Sequence, residues 1–280
     1  MFYLIASIVC SVAVSVLLKM FRRYDLNPAQ AIAMNYVVAL GLTLVLLRPD
    51  TALLLQPATP WFVLLALGLL LPSVFLAMAA SVRHAGIVRS DAAQRLSLFI
   101  PLLAAFFLFG QEPALETMGG ILLAFGALFC LLRRPAEAGP VASATTWLWP
   151  LAVWLGYGVI DILFKQMAKA GTAFPAGLAA SFALAGLAMW IGLLVRRTIW
   201  GRRHLAAGLL LGLLNFGNIL FYIRAHQQFP QNPALVFSAM NIGVVGAGAL
   251  VGALVFREPL SRLNWLGLAL TLLAIGVMIP

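Results

Sequence analysis

Ser15-Val16-Leu17-Leu18-Lys19 closes one long apolar run of the chain, and Asp161-Ile162-Leu163-Phe164-Lys165 closes another 146 residues later. Glu112-Pro113 and Glu258-Pro259, which each open a late apolar run, are separated by the same interval. Two unlike markers sharing one spacing indicate a five-segment unit written twice. The frame slips in the third and fourth segments, where a few residues must be inserted or deleted. Internal repeats on this scale in an apolar chain are a signature of secondary transporters, and they direct attention to the seam between the two halves.

Composition sets the class. Hydrophobic residues make up 63% of the 280, charged residues 9%, and the mean hydropathy is +1.03. A soluble domain is near half apolar and a quarter charged, so a soluble core is excluded. A span needs roughly 20 apolar residues, and reading between charges, prolines and turns gives ten: 2–20, 28–47, 61–82, 91–110, 114–132, 147–168, 174–195, 204–225, 233–256 and 261–279. Alternating ten-residue strands are absent, so the spans are helical. The expected fold is an all-α polytopic membrane protein of ten transmembrane helices. Its first five-helix repeat covers 1–135, a linker 136–146, and the second repeat 147–280.

Five helices per half is an odd number, so the second half enters the membrane from the opposite side and the repeat is inverted. Fourteen of the 18 Lys and Arg fall in the loops after the odd-numbered spans or in the span ends beside them. The positive-inside rule then places those loops in the cytoplasm and both termini outside. The first segment lacks a basic leader and is read as a retained helix, not a signal peptide. Arg22-Arg23, Arg133-Arg134, Arg196-Arg197 and Arg202-Arg203 sit at span ends, so the net charge of +10 signals topology and lipid headgroups, not nucleic acid. Cys10 and Cys130 lie inside spans as packing residues.

Ten helices as an inverted five-plus-five repeat with short loops resemble the drug/metabolite transporter superfamily, specifically its EamA-type members. The Glu112-Pro113 and Glu258-Pro259 turns are similar to that family's Glu-containing turn between the fourth and fifth helices of each repeat. Each turn leads into a Gly-containing helix, at Gly119-Gly120 and at Gly267. The resemblance covers nearly the whole chain and implies an inner (plasma) membrane transporter whose central helices line a substrate cavity. It also implies cytosolic termini, opposite to the charge count.

Ionisable groups within spans face a cavity or a partner. Tyr157, Asp161 and Lys165 recur at i, i+4 and i+8 on one helix face; Ser7, Ser11, Ser15 and Lys19 form the related stripe of the first segment. Asp161 is the best candidate for a proton site. Asp91 and Arg95 are again one turn apart, with Gln94 adjoining, and Gln94 and Arg95 fall on Met240 and Asn241 in the 146-residue frame. Asn215, Asn218 and Tyr222 stripe the eighth segment, and Asn35 and Asn241 lie inside the second and ninth. The candidate substrate-binding set is therefore Lys19, Asn35, Gln94, Arg95, Tyr157, Asp161, Lys165, Asn218, Tyr222 and Asn241. Lysine snorkelling and interhelical amide bonds are the structural alternatives. Gly248 and Gly252 read as a close-packing pair.

The function expected is secondary-active transport of a small polar metabolite by alternating access. An excess of cations in the candidate set favours an amino acid or organic anion. No Gly-x-x-x-x-Gly-Lys-Ser/Thr sequence is present, so ATP is not the direct energy source. An intramembrane enzyme or lipid-handling protein would need a nucleophile–base or metal constellation, and no paired Asp, His cluster or Gly-x-Ser-x-Gly is found. A passive channel or facilitator is the other alternative. No cofactor, metal or catalytic residue is expected; the partners are the substrate, the bilayer and a coupling proton, with the chain a monomer or weak homodimer.

Overall fold

Backbone amides in hydrocarbon have no water to turn to, so each must bond within its own helix. The computed structural model describes residues 1–57, 59–101, 103, 115–132, 146–169, 173–229 and 233–277. Among them lie ten α-helices: α1 Phe2–Arg23, α2 Pro28–Leu42, α3 Trp61–Ala85, α4 Ile87–Leu96, α5 Leu115–Leu132, α6 Leu148–Lys169, α7 Phe174–Val195, α8 Arg202–Gln228, α9 Pro233–Leu250 and α10 Arg262–Val277. π-Helical turns at Thr43–Leu47 and Val251–Val255 prolong α2 and α9. No strand occurs among the described residues. The Glu112-Pro113 turn, residues 104–110 of the fourth expected span and 136–145 of the expected linker lie outside the described residues.

Among the described residues six stretches are long and apolar enough to cross a membrane: Phe2–Arg23, Pro28–Leu47, Trp61–Ala85, Leu148–Met167, Phe174–Val195 and Arg202–Gln228. Large apolar side chains stand exposed along them, among them Ile5, Val9, Phe62, Leu69, Leu187 and Val195. A surface of that kind is an aggregation hazard in water and ordinary in lipid. The protein is an α-helical, multi-pass membrane protein.

Helix boundaries follow local chemistry. Asn27 Oδ1 accepts the N–H groups of Ala29 and Gln30, and Pro28 supplies a first residue with no N–H to satisfy. Ser261 and Asn264 cap α10 reciprocally: Ser261 Oγ accepts the Asn264 N–H, and Asn264 Oδ1 accepts the Ser261 N–H. Between α3 and α4 the break is a single residue, Gly86, at φ 94°. The charged stretch 83–90, expected as a loop, is therefore helix on either side of one glycine. Arg89, counted above as a loop cation, is a buried helix residue donating to Asn264 Oδ1 at 3.1 Å.

The chain divides into two compact units, each drawn from both halves of the sequence. One comprises Met1–Lys19, Ala77–Gly158 and Gly217–Pro280; the other comprises Met20–Leu76 and Val159–Phe216. In the first unit α5 packs on α10 and α4 packs on α9. Val88, Ala92 and Leu96 of α4 close a core with Ala127 and Leu131 of α5, Val245 of α9 and Ala274 of α10. Leu4 and Val12 of α1 join Ala225, Val236, Met240 and Val244 in a smaller cluster. In the second unit α2 packs on α7. There the Gln30 amide bonds the loop before α8 twice, donating to Ile199 O at 2.9 Å and accepting the Gly201 N–H at 3.0 Å.

Candidate functional site

The first unit carries a polar ladder on one face of α1. Ser7, Ser11, Ser15 and Lys19 recur every fourth residue, so their side chains stack one turn above another. Each meets a partner from elsewhere in the unit. Ser7 Oγ lies 2.9 Å from Asn218 Oδ1 and 3.0 Å from Asn218 O. Ser11 Oγ accepts Arg95 Nη2 at 2.8 Å. Ser15 Oγ donates to Asp91 Oδ1 at 2.5 Å. Lys19 Nζ pairs with Glu258 Oε1 at 3.1 Å.

The middle rungs concentrate the chemistry. Asp91 and Arg95 stand one turn apart on α4, so the carboxylate that meets Ser15 lies beside the guanidinium that meets Ser11. Arg95 Nη1 also donates to Asn241 Oδ1 of α9 at 3.4 Å. Arg95 is half-buried, whereas Asp91 is 2% and Asn241 5% exposed. Asp91 Oδ2 is buried and meets no hydrogen-bond donor. It faces the backbone of α9, where a Cβ added to Gly248 would come within 2.6 Å. The Gly248–Gly252 pair therefore leaves room for carboxylates as well as for helices, since a Cβ on Gly252 would lie 3.1 Å from Glu258 Oε2.

Glu258 is the best-satisfied acid among the described residues of the unit. Besides Lys19 it accepts the backbone N–H groups of Ile87 at 2.7 Å and Val88 at 3.2 Å, the first free amides of α4. A carboxylate at a helix N-terminus meets both orphan donors and the positive end of the helix dipole. Gly86 makes this approach feasible: it adopts the left-handed φ of the break, and a Cβ there would strike the Glu258 carboxylate. One side chain thus ties α1, the start of α4 and the turn after α9.

The other candidates are distributed as follows. Lys19, Arg95, Asn218 and Asn241 are on the ladder or bonded to it. Gln94 lies beside Arg95 with its side chain half-buried. Tyr222 is half-buried one turn beyond Asn218, its ring edge-to-face with His226 at 4.6 Å. Tyr157 is half-buried on α6. Asn35, Asp161 and Lys165 belong to the second unit. Asn35 is fully buried and accepts Asn215 Nδ2 at 3.1 Å, an amide bond between α2 and α8. Asp161 and Lys165 are exposed on α6. Asp161, the candidate proton site, is thus exposed, and among the described residues the acids with buried side chains are Asp91 and Glu258. Sequence reading missed both partnerships because Glu258 registered as a turn marker and Ser15 as one member of a stripe.

This chain is 52% identical, over 279 residues, to an uncharacterized protein of Haemophilus influenzae. The alignment covers 97% of this chain and 95% of that protein. The two belong to one family. No family model matches the chain. A protein of known crystal structure covers 97% of this chain and 95% of its own, with a TM-score of 0.58 at 16% identity. At that identity the likeness shows a shared fold alone.

Proposed function

We propose that the protein is a secondary-active transporter of the drug/metabolite, EamA-like type, spanning a bacterial-type inner membrane ten times as an inverted five-plus-five repeat. Its cargo is a small polar metabolite bearing a carboxylate, an amino acid or organic anion, bound beside Arg95. The observation that carries this reading is the Arg95–Asn241 hydrogen bond, made between positions 146 residues apart. That is the interval relating Lys19 to Lys165 and Glu112 to Glu258. Arg95 and Asn241 lie on the fourth expected span of each repeat, and when two halves are related by a twofold, equivalent helices that touch do so beside the axis. A group beside such an axis is approached alike from either side, which is what a single alternating-access site requires.

The chemistry supports an anionic cargo. The Arg95 guanidinium donates to the neutral oxygens of Ser11 and Asn241, while the Lys19 cation is paired with Glu258. A planar guanidinium is suited to bidentate capture of a carboxylate. In this reading Ser11, Gln94 and Asn241 complete the ligand's polar shell, and Asn218 and Tyr222 extend it along α8.

The test is a thermal-shift screen of the purified full chain against single amino acids, C2–C6 mono- and dicarboxylates and phosphate esters, followed by counterflow of each stabilising compound in proteoliposomes. Saturable counterflow of a carboxylate is expected. Flux that rises linearly with concentration would establish a channel instead, and stabilisation by phospholipid alone would favour a lipid-handling protein.

A further inference from the structure

Asp91 has a role that the proposed binding site does not account for. It is a carboxylate at 2% exposure, with one hydrogen bond, from Ser15, and a second oxygen that meets no donor and lies against Gly248. Burying an ionised carboxylate costs several kcal/mol unless charge and hydrogen bonds compensate. Glu258 has both, from Lys19 and two backbone amides. The charged neighbours of Asp91 are few. On its own helix they are Arg95 one turn on and Arg89 two residues before, the latter bonded to Asn264. From α1 comes Lys19, taken by Glu258, and from the turn after α9 comes Glu258 itself, which repels. The described residues of α9 facing α4 contribute only the neutral Asn241. Among the described residues Arg95 is thus the cation that balances Asp91, and it is also the group to which a carboxylate substrate would bind.

We propose that Asp91 carries the coupling proton of the transport cycle, and that substrate and proton load together through competition for Arg95. This rests on the transporter reading for its purpose. With the site empty, the Arg95 guanidinium compensates the Asp91 carboxylate. A substrate carboxylate that engages Arg95 takes that compensation away. Asp91 Oδ2 then binds one proton from water on the loading side, forming its O–H bond. On release the proton returns to water on the other side as substrate leaves Arg95. One carboxylate and one proton cross together, so these two charges cancel. Linkage makes the effect mutual, and protonated Asp91 leaves Arg95 free to hold an anion more tightly.

The experiment reads Asp91 without any substrate, so its failure is separable from failure of the uptake assay. Infrared difference spectra of the full chain in liposomes are recorded across a pH titration, following the carbonyl stretch of protonated carboxylic acid. Wild type and Asp161→Asn should show a titrating band that Asp91→Asn, a near-isosteric change, lacks. Arg95→Gln, which imitates loss of the balancing cation, should move the midpoint of that band to higher pH by about 1 unit or more. A wild-type band that survives in Asp91→Asn, or an Arg95→Gln midpoint equal to wild type, would overturn the proposal.

Discussion

Arg95 and Asn241 hydrogen-bond to each other, Nη1 to Oδ1 at 3.4 Å, across 146 residues of sequence. The residues on either side of this bond are unequal. Arg95 also reaches Ser11 and follows Asp91 by one turn, whereas Asn241 sits on a helix opened at Gly248 and Gly252 to admit acidic side chains. Of the two, Arg95 is the cation and Asn241 its acceptor.

The Glu258 clamp should dominate the stability of this end of the first unit. Glu258→Ala removes the acceptor of two α4 amides and leaves Lys19 without its partner, while Glu258→Gln keeps an acceptor for the amides. Alanine should therefore lower the melting temperature of the detergent-solubilised protein more than glutamine, with lost capping contributing about 1 kcal/mol. Equal melting temperatures for the two variants would mean that the carboxylate does not act as a cap.

Two glycines two residues apart on α9 should respond oppositely to alanine. At Gly248 the new Cβ would meet Asp91 Oδ2 at 2.6 Å, whereas Gly246 has nothing within 4 Å. Gly248→Ala should destabilise by about 1–3 kcal/mol through overpacking. Gly246→Ala should be neutral or stabilise by up to about 1 kcal/mol through helix propensity. Matched thermal melts decide, and a tolerated Gly248→Ala would show that Asp91 has room to move.

Lys165 extends the Tyr157–Asp161 face of α6, and Lys169 lies nearer the loop. Lys165→Ala should reduce substrate flux far more than Lys169→Ala at matched expression. Equal flux through both would assign Lys165 to the interface as a snorkelling side chain.

Topology is testable independently. With the charge-dense loops inside, cysteines placed in 133–146 should resist a membrane-impermeant thiol reagent in intact cells, and a cysteine at Pro280 should react. Labelling of 133–146 from outside would reverse the orientation.

Helices were legible because hydropathy and backbone satisfaction act locally: expected spans 174–195 and 28–47 coincide with α7 and with α2 plus its π turn. The stripe Ser7, Ser11, Ser15, Lys19 was legible too, because helical spacing alone puts it on one face. Its partners were not. Lys19 and Glu258 are 239 residues apart, and no local rule says which acid a given lysine will find. Arg89 looked like a loop charge, because a sequence shows the cost of burying an ion and not the contacts that offset it. Asn35 shows the converse, an in-span amide whose partner, Asn215, is another amide.

The most direct measurement is the thermal shift produced by a stabilising carboxylate from the screen, compared among wild type, Arg95→Gln, Asn241→Ala and Asn215→Ala. If Arg95 and Asn241 form the binding centre, the ligand-dependent shift should vanish in Arg95→Gln, fall in Asn241→Ala, and persist in Asn215→Ala despite that variant's lower basal stability. A shift retained in full by Arg95→Gln would place the ligand elsewhere and contradict the account.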